Sequence, residues 1–361
     1  MIVEQVRAAV RDAGLLGGKD LSTRPVVAML SGGRDSVCLL DVAVALREPS
    51  SVKALHVNYG LRGAESDADE RHCAALCETL GVGLEVVRAS REEGVAGNLQ
   101  AWAREVRYAA AIGLAERLDE MAEVAAAAEE AGPAEEAGAT EEAERSEGFE
   151  DARGAARTLV AAGHTASDQV ETILYRLAAS PGRRALLGMR AAEGRLVRPL
   201  LGVTREQTGA YCEARGLRWR EDASNDSDAY ARGRVRHGLG AALRAVHPAA
   251  EANVLRTAEL LREETDLLDG LVGDTLGGRQ SIEIARLEAL ERALARLVVV
   301  RLAEQAAGTY VPQAGDRVQE IIELSRRGAA PGGGRLDLHV GGNVSARIED
   351  GVLSMVRLPR R

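Results

Sequence analysis

The chain predicts an α/β fold: a parallel sheet with helices on both faces, followed by a smaller α+β domain. Three observations carry this. Short apolar runs alternate with longer helical stretches over the first two thirds of the chain, and strand–helix alternation builds parallel sheets covered on both sides. A serine- and glycine-rich turn sits between the first apolar run and the helix after it. Beyond residue 250 the pattern changes to long amphipathic segments and then to short alternating strands.

The elements follow in order. Residues 26–30 are an apolar run read as a buried strand, and residues 37–47 as the helix that follows it. A second strand is expected over 52–57 and a helix over 64–80, stopped by Gly81. A third strand covers 84–88, and Asn98 caps a helix that runs through Tyr108. Strand four is placed at 158–162, with its helix over 167–178. A fifth strand at 196–200 precedes a helix capped by Thr204 and running to Arg215. Residues 251–271, 284–307 and 313–326 read as amphipathic helices, and 335–340, 344–348 and 352–356 as strands turned at Gly341-Gly342 and Asp350-Gly351. The domains are therefore placed at 1–245 and 250–361.

Residues 121–157 interrupt this order with Ala, Glu and Gly. They read as an Ala/Glu helix broken at Gly132-Pro133 or, preferably, as a disordered acidic insertion, because they offer almost nothing to build a core.

Charge is unevenly placed along the 361 residues, whose net charge is −9. Residues 116–152 hold 14 acids and 2 bases, or −12, so the remainder sums to −9 + 12 = +3. Residues 183–236 carry 12 arginines against 7 acids, a basic stretch compatible with RNA. Only Lys19 and Lys53 are lysines; the other 44 basic residues are arginines, whose planar forks suit phosphates. Aromatics are 2% of the chain, so the cores must be aliphatic. Cys38, Cys73, Cys77 and Cys212 form no C-x-x-C pair and read as buried thiols. No apolar run approaches the ~20 residues of a membrane span, and a cytoplasmic location is expected.

The turn Ser31-Gly32-Gly33-Arg34-Asp35-Ser36 lies where a strand ends and a helix begins. Free backbone N–H groups and the helix dipole favour phosphate there, and the glycines let the backbone approach it. Asp35 makes sense beside phosphate if it holds Mg²⁺ or orients the loop. A Walker-type loop is excluded, since Gly-Lys-Ser/Thr is missing.

Four further segments accompany this turn: His56-Val57-Asn58-Tyr59-Gly60-Leu61-Arg62, the stretch from Asn98 to Tyr108 containing Trp102, Arg104 and Arg107, Gly163-His164-Thr165-Ala166-Ser167-Asp168-Gln169-Val170-Glu171-Thr172, and Arg198-Pro199-Leu200-Leu201 leading through Trp219 to Tyr230-Ala231-Arg232-Gly233-Arg234-Val235-Arg236-His237. The turn resembles the S-G-G-x-D-S pyrophosphate loop of the adenine nucleotide α-hydrolase-like fold. The whole set, in order and spacing, is similar to the tRNA(Ile)-lysidine synthase family. Its departures are Ser167 where an aspartate is usual, Gly233 where an asparagine is common and Gly238 where an acid is common.

The resemblance implies an ATP-dependent enzyme with Mg²⁺. The 2-carbonyl oxygen of the wobble cytidine in an isoleucine tRNA with a CAU anticodon would attack the α phosphate of ATP, and free L-lysine would then displace AMP. Ser31, Gly32, Gly33, Arg34, Asp35, Ser36, His56 and Asn58 are the expected nucleotide contacts. Asp35 and Asp168 are the expected metal ligands. Asp35, Arg104, Arg107, His164, Asp168 and Arg232 are the expected catalytic residues, and Asp168 and Glu171 the candidate lysine pocket. Surface roles remain open for the arginine pairs, helix capping for His164, and core packing is favoured for Trp219. The C-terminal domain is expected to bind tRNA through Arg326, Arg327, Arg335 and Arg347, or else to stabilise the fold or a homodimer. A tRNA thiolase is the alternative enzyme, disfavoured by the lack of paired cysteines; a non-catalytic nucleotide- or RNA-binding relative is the other.

Overall fold

A computed structural model describes residues 1–16, 24–90, 98–130, 157–179, 182–221, 231–328 and 335–359. Two compact units emerge: residues 1–181 with 187–255, and residues 182–186 with 256–361. The expected boundary near 245–250 thus moves to 255/256, and a five-residue segment between the first unit's elements belongs to the second.

The first unit opens with α1 (Ile2–Asp12), which the sequence reading passed over although Val6 and Val10 bury one helical stripe. Then come β1 (Val26–Met29), α2 (Arg34–Leu46), β2 (Val52–Asn58), α3 (Ala64–Leu80), β3 (Gly83–Arg88), α4 (Leu99–Glu130), β4 (Leu159–Ala161) and α5 (Ala166–Ala179). After them lie β5 (Ala192–Glu193), β6 (Leu196–Val197), α6 (Arg205–Ala214), α7 (Ala231–Arg234), a π-helical turn over Val235–Gly240, α8 (Ala241–Val246) and α9 (Ala250–Leu276). Gly81 ends α3 in the left-handed conformation at φ +68°, as its sequence position predicted. Thr204 and Gln207 form a capping box on α6.

The sheet order is β3-β2-β1-β4-β6-β5. All pairings are parallel except β5 on β6, so the sheet is mostly rather than wholly parallel. The expected strand at 196–200 shrinks to two residues, because Arg198 precedes Pro199, which has no N–H to give a ladder. Successive residues of β1 face opposite sides. Val26 and Ala28 join the core under α1, α2, α3 and α6, whereas Val27 and Met29 join Ala111, Leu114 and Ala115 of α4.

Helix α4 runs to Glu130, well beyond Tyr108. Residues 121–130 are therefore helical, which corrects the reading of that stretch as the start of a disordered insertion. They are all Ala, Glu, Met or Val, and the alanines and glutamates are strong helix formers able to extend a helix anchored further up. The remainder of the expected insertion, 131–156, lies outside the described residues. The anchor is Asp119: its Oδ1 accepts the Thr158 N–H at 2.7 Å, and Oδ2 pairs with Arg195.

The second unit contains the rest of α9, then β7 (Ser281–Glu283), α10 (Ile284–Glu288), α11 (Arg292–Ala307), α12 (Val318–Gly328), β8 (Leu336–Gly341), β9 (Val344–Glu349) and β10 (Val352–Arg357). The single helix expected over 284–307 is two helices broken near Ala289, and a 3-10 turn over Pro312–Arg317 replaces the start of the one expected over 313–326. The antiparallel sheet is ordered β7-β10-β9-β8. Its tight turns use Gly342-Asn343, at φ +58° and +56°, and Asp350-Gly351, at φ +51° and +77°. Two successive positive φ values are what two-residue hairpins of right-handed twist require. Val298, Val299, Leu302, Ile321 and Leu353 form this unit's core.

Asp119 is held below the usual carboxylate range: burial works against it, but the Thr158 and Arg195 donors outweigh burial. A carboxyl with a lowered folded pKa stabilises above its unfolded value of about 3.9, and that contribution disappears as pH falls through the folded pKa. We expect Asp119→Ala to cost ~1–3 kcal/mol of stability at pH 7 and progressively less below pH ~4. Chemical denaturation at pH 7 and pH 3 checks this; an equal loss at both values contradicts it.

Candidate nucleotide and amine site

The chain leaves β1 toward β2 and β3 on one side and returns as β4 on the other. The crevice between the ends of β1 and β4 is thus the topological switch point, where open α/β sheets bind ligands. The 31–36 loop occupies one wall and the 163–168 turn the other. They approach so closely that a Cβ on Gly163 would sit 3.1 Å from the Asp35 carbonyl oxygen.

The loop is held by its own serines. Ser36 Oγ donates to the Gly33 carbonyl at 2.8 Å and accepts the Ser31 N–H at 3.1 Å, with Ser31 Oγ 3.0 Å away. Gly32 stands at φ +85°, and the Arg220 N–H takes its carbonyl at 2.9 Å, so a strap from beyond α6 crosses the loop. Gly33 caps α2 without a side-chain hydrogen bond, which leaves first-turn N–H groups directed at the crevice.

Asp35 begins α2. Thr208 of α6, fully buried, donates its hydroxyl to Asp35 Oδ1. Arg205 Nε lies 3.7 Å from Asp35 Oδ2. The same guanidinium reaches Asp168 Oδ1 at 3.0 Å and Glu171 Oε1 at 3.1 Å. Arg236 then holds Glu171 from the other side, Nε to Oε1 at 2.7 Å. Asp168 Oδ2 accepts both the N–H and the hydroxyl of Thr165, at 2.9 and 2.8 Å. Burial and the Asp168 charge raise the Asp35 pKa, against the Thr208 hydrogen bond, Arg205 and Arg34. Asp168 is shifted the other way: burial opposes ionisation, but Arg205, the Thr165 donors and His164 hold it below the usual range. Two neighbouring carboxyls pushed apart in pKa are a mark of functional sites.

The expected residues divide into those at the crevice and those beside it. Ser31 to Ser36, His164 and Asp168 converge there. His56 is nearly buried, its Nδ1 2.9 Å from the Leu30 carbonyl and Cys73 Sγ 3.4 Å from the same nitrogen. Asn58 spends its side chain on the β2–α3 loop, accepting the Gly60 N–H at 2.9 Å and donating to Glu70 at 2.8 Å and Asp67 at 3.2 Å. His56 thus touches the residue just before the 31–36 loop, and Asn58 braces the turn between β2 and α3. Arg104 and Arg107 flank the Tyr108 ring at 4.6 and 5.9 Å, and Arg107 Nε is buried without a hydrogen-bond partner among the described residues. Arg232 lies in α7, and its side chain is outside the described residues. Trp219 packs on the main core, as expected. In the second unit Arg326 pairs with Glu288, and Arg335 and Arg347 both pair with Asp337.

Arg205 and Thr208 were missed. Arg205 directly follows the helix-capping Thr204, so it looked like an ordinary first-turn residue, and a buried threonine has no sequence signature. The visible signal was spacing: 205, 208, 209 and 212 share one helix face, and Gly209 on that face lies 3.2 Å from Arg34 Cδ when given a Cβ.

Among the described residues no cluster of three His, Cys, Asp or Glu side chains is arranged to hold a metal. Among the described residues Asp35 Oδ2 meets Arg205 at 3.7 Å and retains acceptor capacity, whereas both Asp168 oxygens are engaged. The donor set fits a cation held chiefly by nucleotide phosphates with Asp35 as its protein ligand, the usual habit of Mg²⁺.

A serine–glycine loop between a parallel strand and its helix, at the switch point, with an acid in the first turn, defines a PP-loop nucleotide-binding domain. The PP-loop domain family matches residues 6–137 and 139–243. The chain is 36% identical over 284 residues to a tRNA(Ile)-lysidine synthase of Geobacter sulfurreducens, covering 76% of this chain and 51% of that one. It is 30% identical over 359 residues to that of Dehalococcoides mccartyi, covering 94% and 67%. The chain belongs to the tRNA(Ile)-lysidine synthase family. It spans about half the length of several curated relatives it matches, including the one from Pseudomonas fluorescens, at 47%. Among solved structures it is similar to a U34-tRNA thiolase from Methanococcus maripaludis, with TM-score 0.51 and 17% identity over 72% of this chain and 79% of that one. That likeness shows the shared fold alone.

Replacing Thr208 by valine keeps its volume and removes the donor to Asp35. We expect a five- to twentyfold loss of affinity for the Mg²⁺-bound nucleotide and restoration by Thr208→Ser. Isothermal titration with the non-hydrolysable ATP analogue checks it; wild-type affinity in Thr208→Val contradicts it.

Proposed function

We propose that this protein adenylates the wobble cytidine of an isoleucine tRNA with a CAU anticodon and then joins free L-lysine to its C2, releasing pyrophosphate and AMP. The observation that carries this is the junction at Arg205, where the nucleotide loop's Asp35 meets the Asp168–Glu171 pair through one guanidinium. Family membership supplies the substrate classes. The junction supplies the reason two half-reactions share one site.

In the first half-reaction the cytidine O2 attacks the α phosphorus and the α–β bridging bond breaks toward pyrophosphate. Loop N–H groups and Ser31 and Ser36 hydroxyls take the leaving pyrophosphate. Bound Mg²⁺ would neutralise phosphate charge, held by Asp35. The buried, unspent Arg107 Nε is a donor for a phosphate oxygen. In the second, the lysine ε-amine attacks C2, the C2–oxygen bond breaks, AMP leaves, and the amine gives up its proton. An ammonium cannot attack. Asp168 and Glu171 bind the amine end and take up the proton that the amine sheds as it attacks. The protein acts where tRNA is modified, in the cytoplasm; no helix among the described residues is long and apolar enough to cross a membrane.

Residues 256–361 enter as a second tRNA contact, because one cytidine cannot specify one tRNA. That stretch carries 15 arginines and 16 acids, so its contribution is positional and not bulk attraction. Charge reversal at Arg327 and Arg347 should raise KM for tRNA several-fold and leave that for MgATP unchanged; an unchanged KM for tRNA removes this role.

Labelled ATP incubated with tRNA and lysine tests the whole reading. AMP should appear only with both present, and Asp35→Ala should lower its rate at least 100-fold while the fold persists. Release that follows a sulfur donor in place of lysine identifies a thiolase, and no release identifies a binding protein.

A further inference from the structure

The strap that crosses the nucleotide loop is anchored at a second junction, in which one anion holds two cations. Asp69 of α3 is 9% exposed and both its oxygens are used. Oδ2 accepts Arg62 Nη2, from the turn between β2 and α3, at 2.5 Å. Oδ1 accepts Arg220 Nε, from the strap beyond α6. Arg220 Nη2 also reaches Glu65, but that glutamate side chain is 67% exposed, and such pairs contribute little.

The junction lies beside the loop backbone. Asp69, His72 and Cys73 are three and four apart and so share one face of α3. Gly32 packs on that face: a Cβ there would sit 3.2 Å from Cys73 Sγ and 3.5 Å from His72 Cδ2. From the strap, the Arg220 N–H takes the Gly32 carbonyl at 2.9 Å. The carbonyl and N–H of one trans peptide point in opposite directions. With the Gly32 carbonyl turned to the strap, the Gly33 N–H points away from it. Among the described residues that N–H meets Ser31 Oγ, at an exposed 3.4 Å. This is a long contact for an N–H donor, which leaves it available to a phosphate oxygen.

We propose that Asp69 and Arg220 are positioning residues for the departure of pyrophosphate. The assignment rests on the adenylation reading above and extends it to two side chains outside the 31–36 loop. Asp69 pins the Arg220 side chain, the Arg220 backbone turns the Gly32–Gly33 peptide, and the Gly33 N–H meets the leaving group. Neither side chain touches phosphate. As the α–β bridging bond breaks, its electron pair and negative charge pass to the pyrophosphate oxygen. A donor already aimed there favours the cleavage, and a displaced one forfeits that gain. The adenosine and α-phosphate half of the nucleotide does not depend on this peptide.

Titration calorimetry with Mg²⁺-pyrophosphate, α,β-methylene ATP and AMP tests the assignment. In Arg220→Gln and in Asp69→Asn the affinities for pyrophosphate and the ATP analogue should fall at least tenfold, with AMP affinity kept within twofold. Adding Arg220→Gln to Asp69→Asn should cost no more than a further twofold, because both changes remove one contact. Glu65→Gln should stay within twofold of the wild type for every ligand. Melting curves establish that each variant folds, and Arg220→Gln, on the more exposed partner, carries the test if Asp69→Asn does not. Unchanged pyrophosphate affinity in Arg220→Gln overturns the assignment. So does an equal loss for AMP and pyrophosphate, which marks a merely structural contact, or a second full loss in the double variant. Selective loss of pyrophosphate, in a protein that releases no AMP with tRNA and lysine, supports the positioning role and fails the ligase reading.

Discussion

One guanidinium makes the site possible. Asp35 from α2 and Asp168 and Glu171 from α5 would repel one another in a partly buried crevice, and Arg205 lies against all three. Burial and the Asp168 charge both work against an ionised Asp35, and the Arg205 guanidinium offsets that repulsion. Burial and Asp168 push the Asp35 pKa up, while Arg205 contributes to keeping Asp168 ionised. The arginine also joins the nucleotide loop's Asp35 to the Asp168–Glu171 pair through one side chain.

The helix that carries it, α6, is itself braced. Asp41, 2% exposed on α2, accepts the Tyr211 hydroxyl and, at 3.1 Å on each oxygen, the Arg215 guanidinium. Tyr211 sits on α6 and Arg215 is its C-cap residue, further along from Arg205 and Thr208. Asp35 and Asp41 therefore tie α2 to α6 at two levels, and the strap through Arg220 closes over Gly32. Loss of one partner from such a buried charged cluster costs ~3–5 kcal/mol, mostly through the charge left unpaired. The pyrophosphate loop is thus positioned by a helix far along the chain and not by its own sequence alone.

This explains what could be read before the structure. The strands β1 to β4 and the helices α3 and α6 were legible because apolar runs, Gly81 and Thr204 are local signals. The loop from Ser31 to Ser36 was legible for the same reason. Asn58 was legible as special but not as a loop brace, since its partners Asp67 and Glu70 come from a helix whose packing is not local. Arg205 and Thr208 act through contacts across 34 to 173 positions, and no periodicity marks them. Helix α4 outran its reading because low core content favoured disorder over the Ala/Glu helix also considered, while Ala and Glu need only an anchored start to continue a helix.

If Arg205 couples the two ends of the crevice, it cannot be altered for one substrate only. The decisive measurement is the pair of constants KM for MgATP and KM for lysine in Arg205→Lys, which keeps the charge and loses the fork that spans three carboxylates. The account predicts that both rise by at least tenfold together. A rise in one with the other unchanged would contradict it.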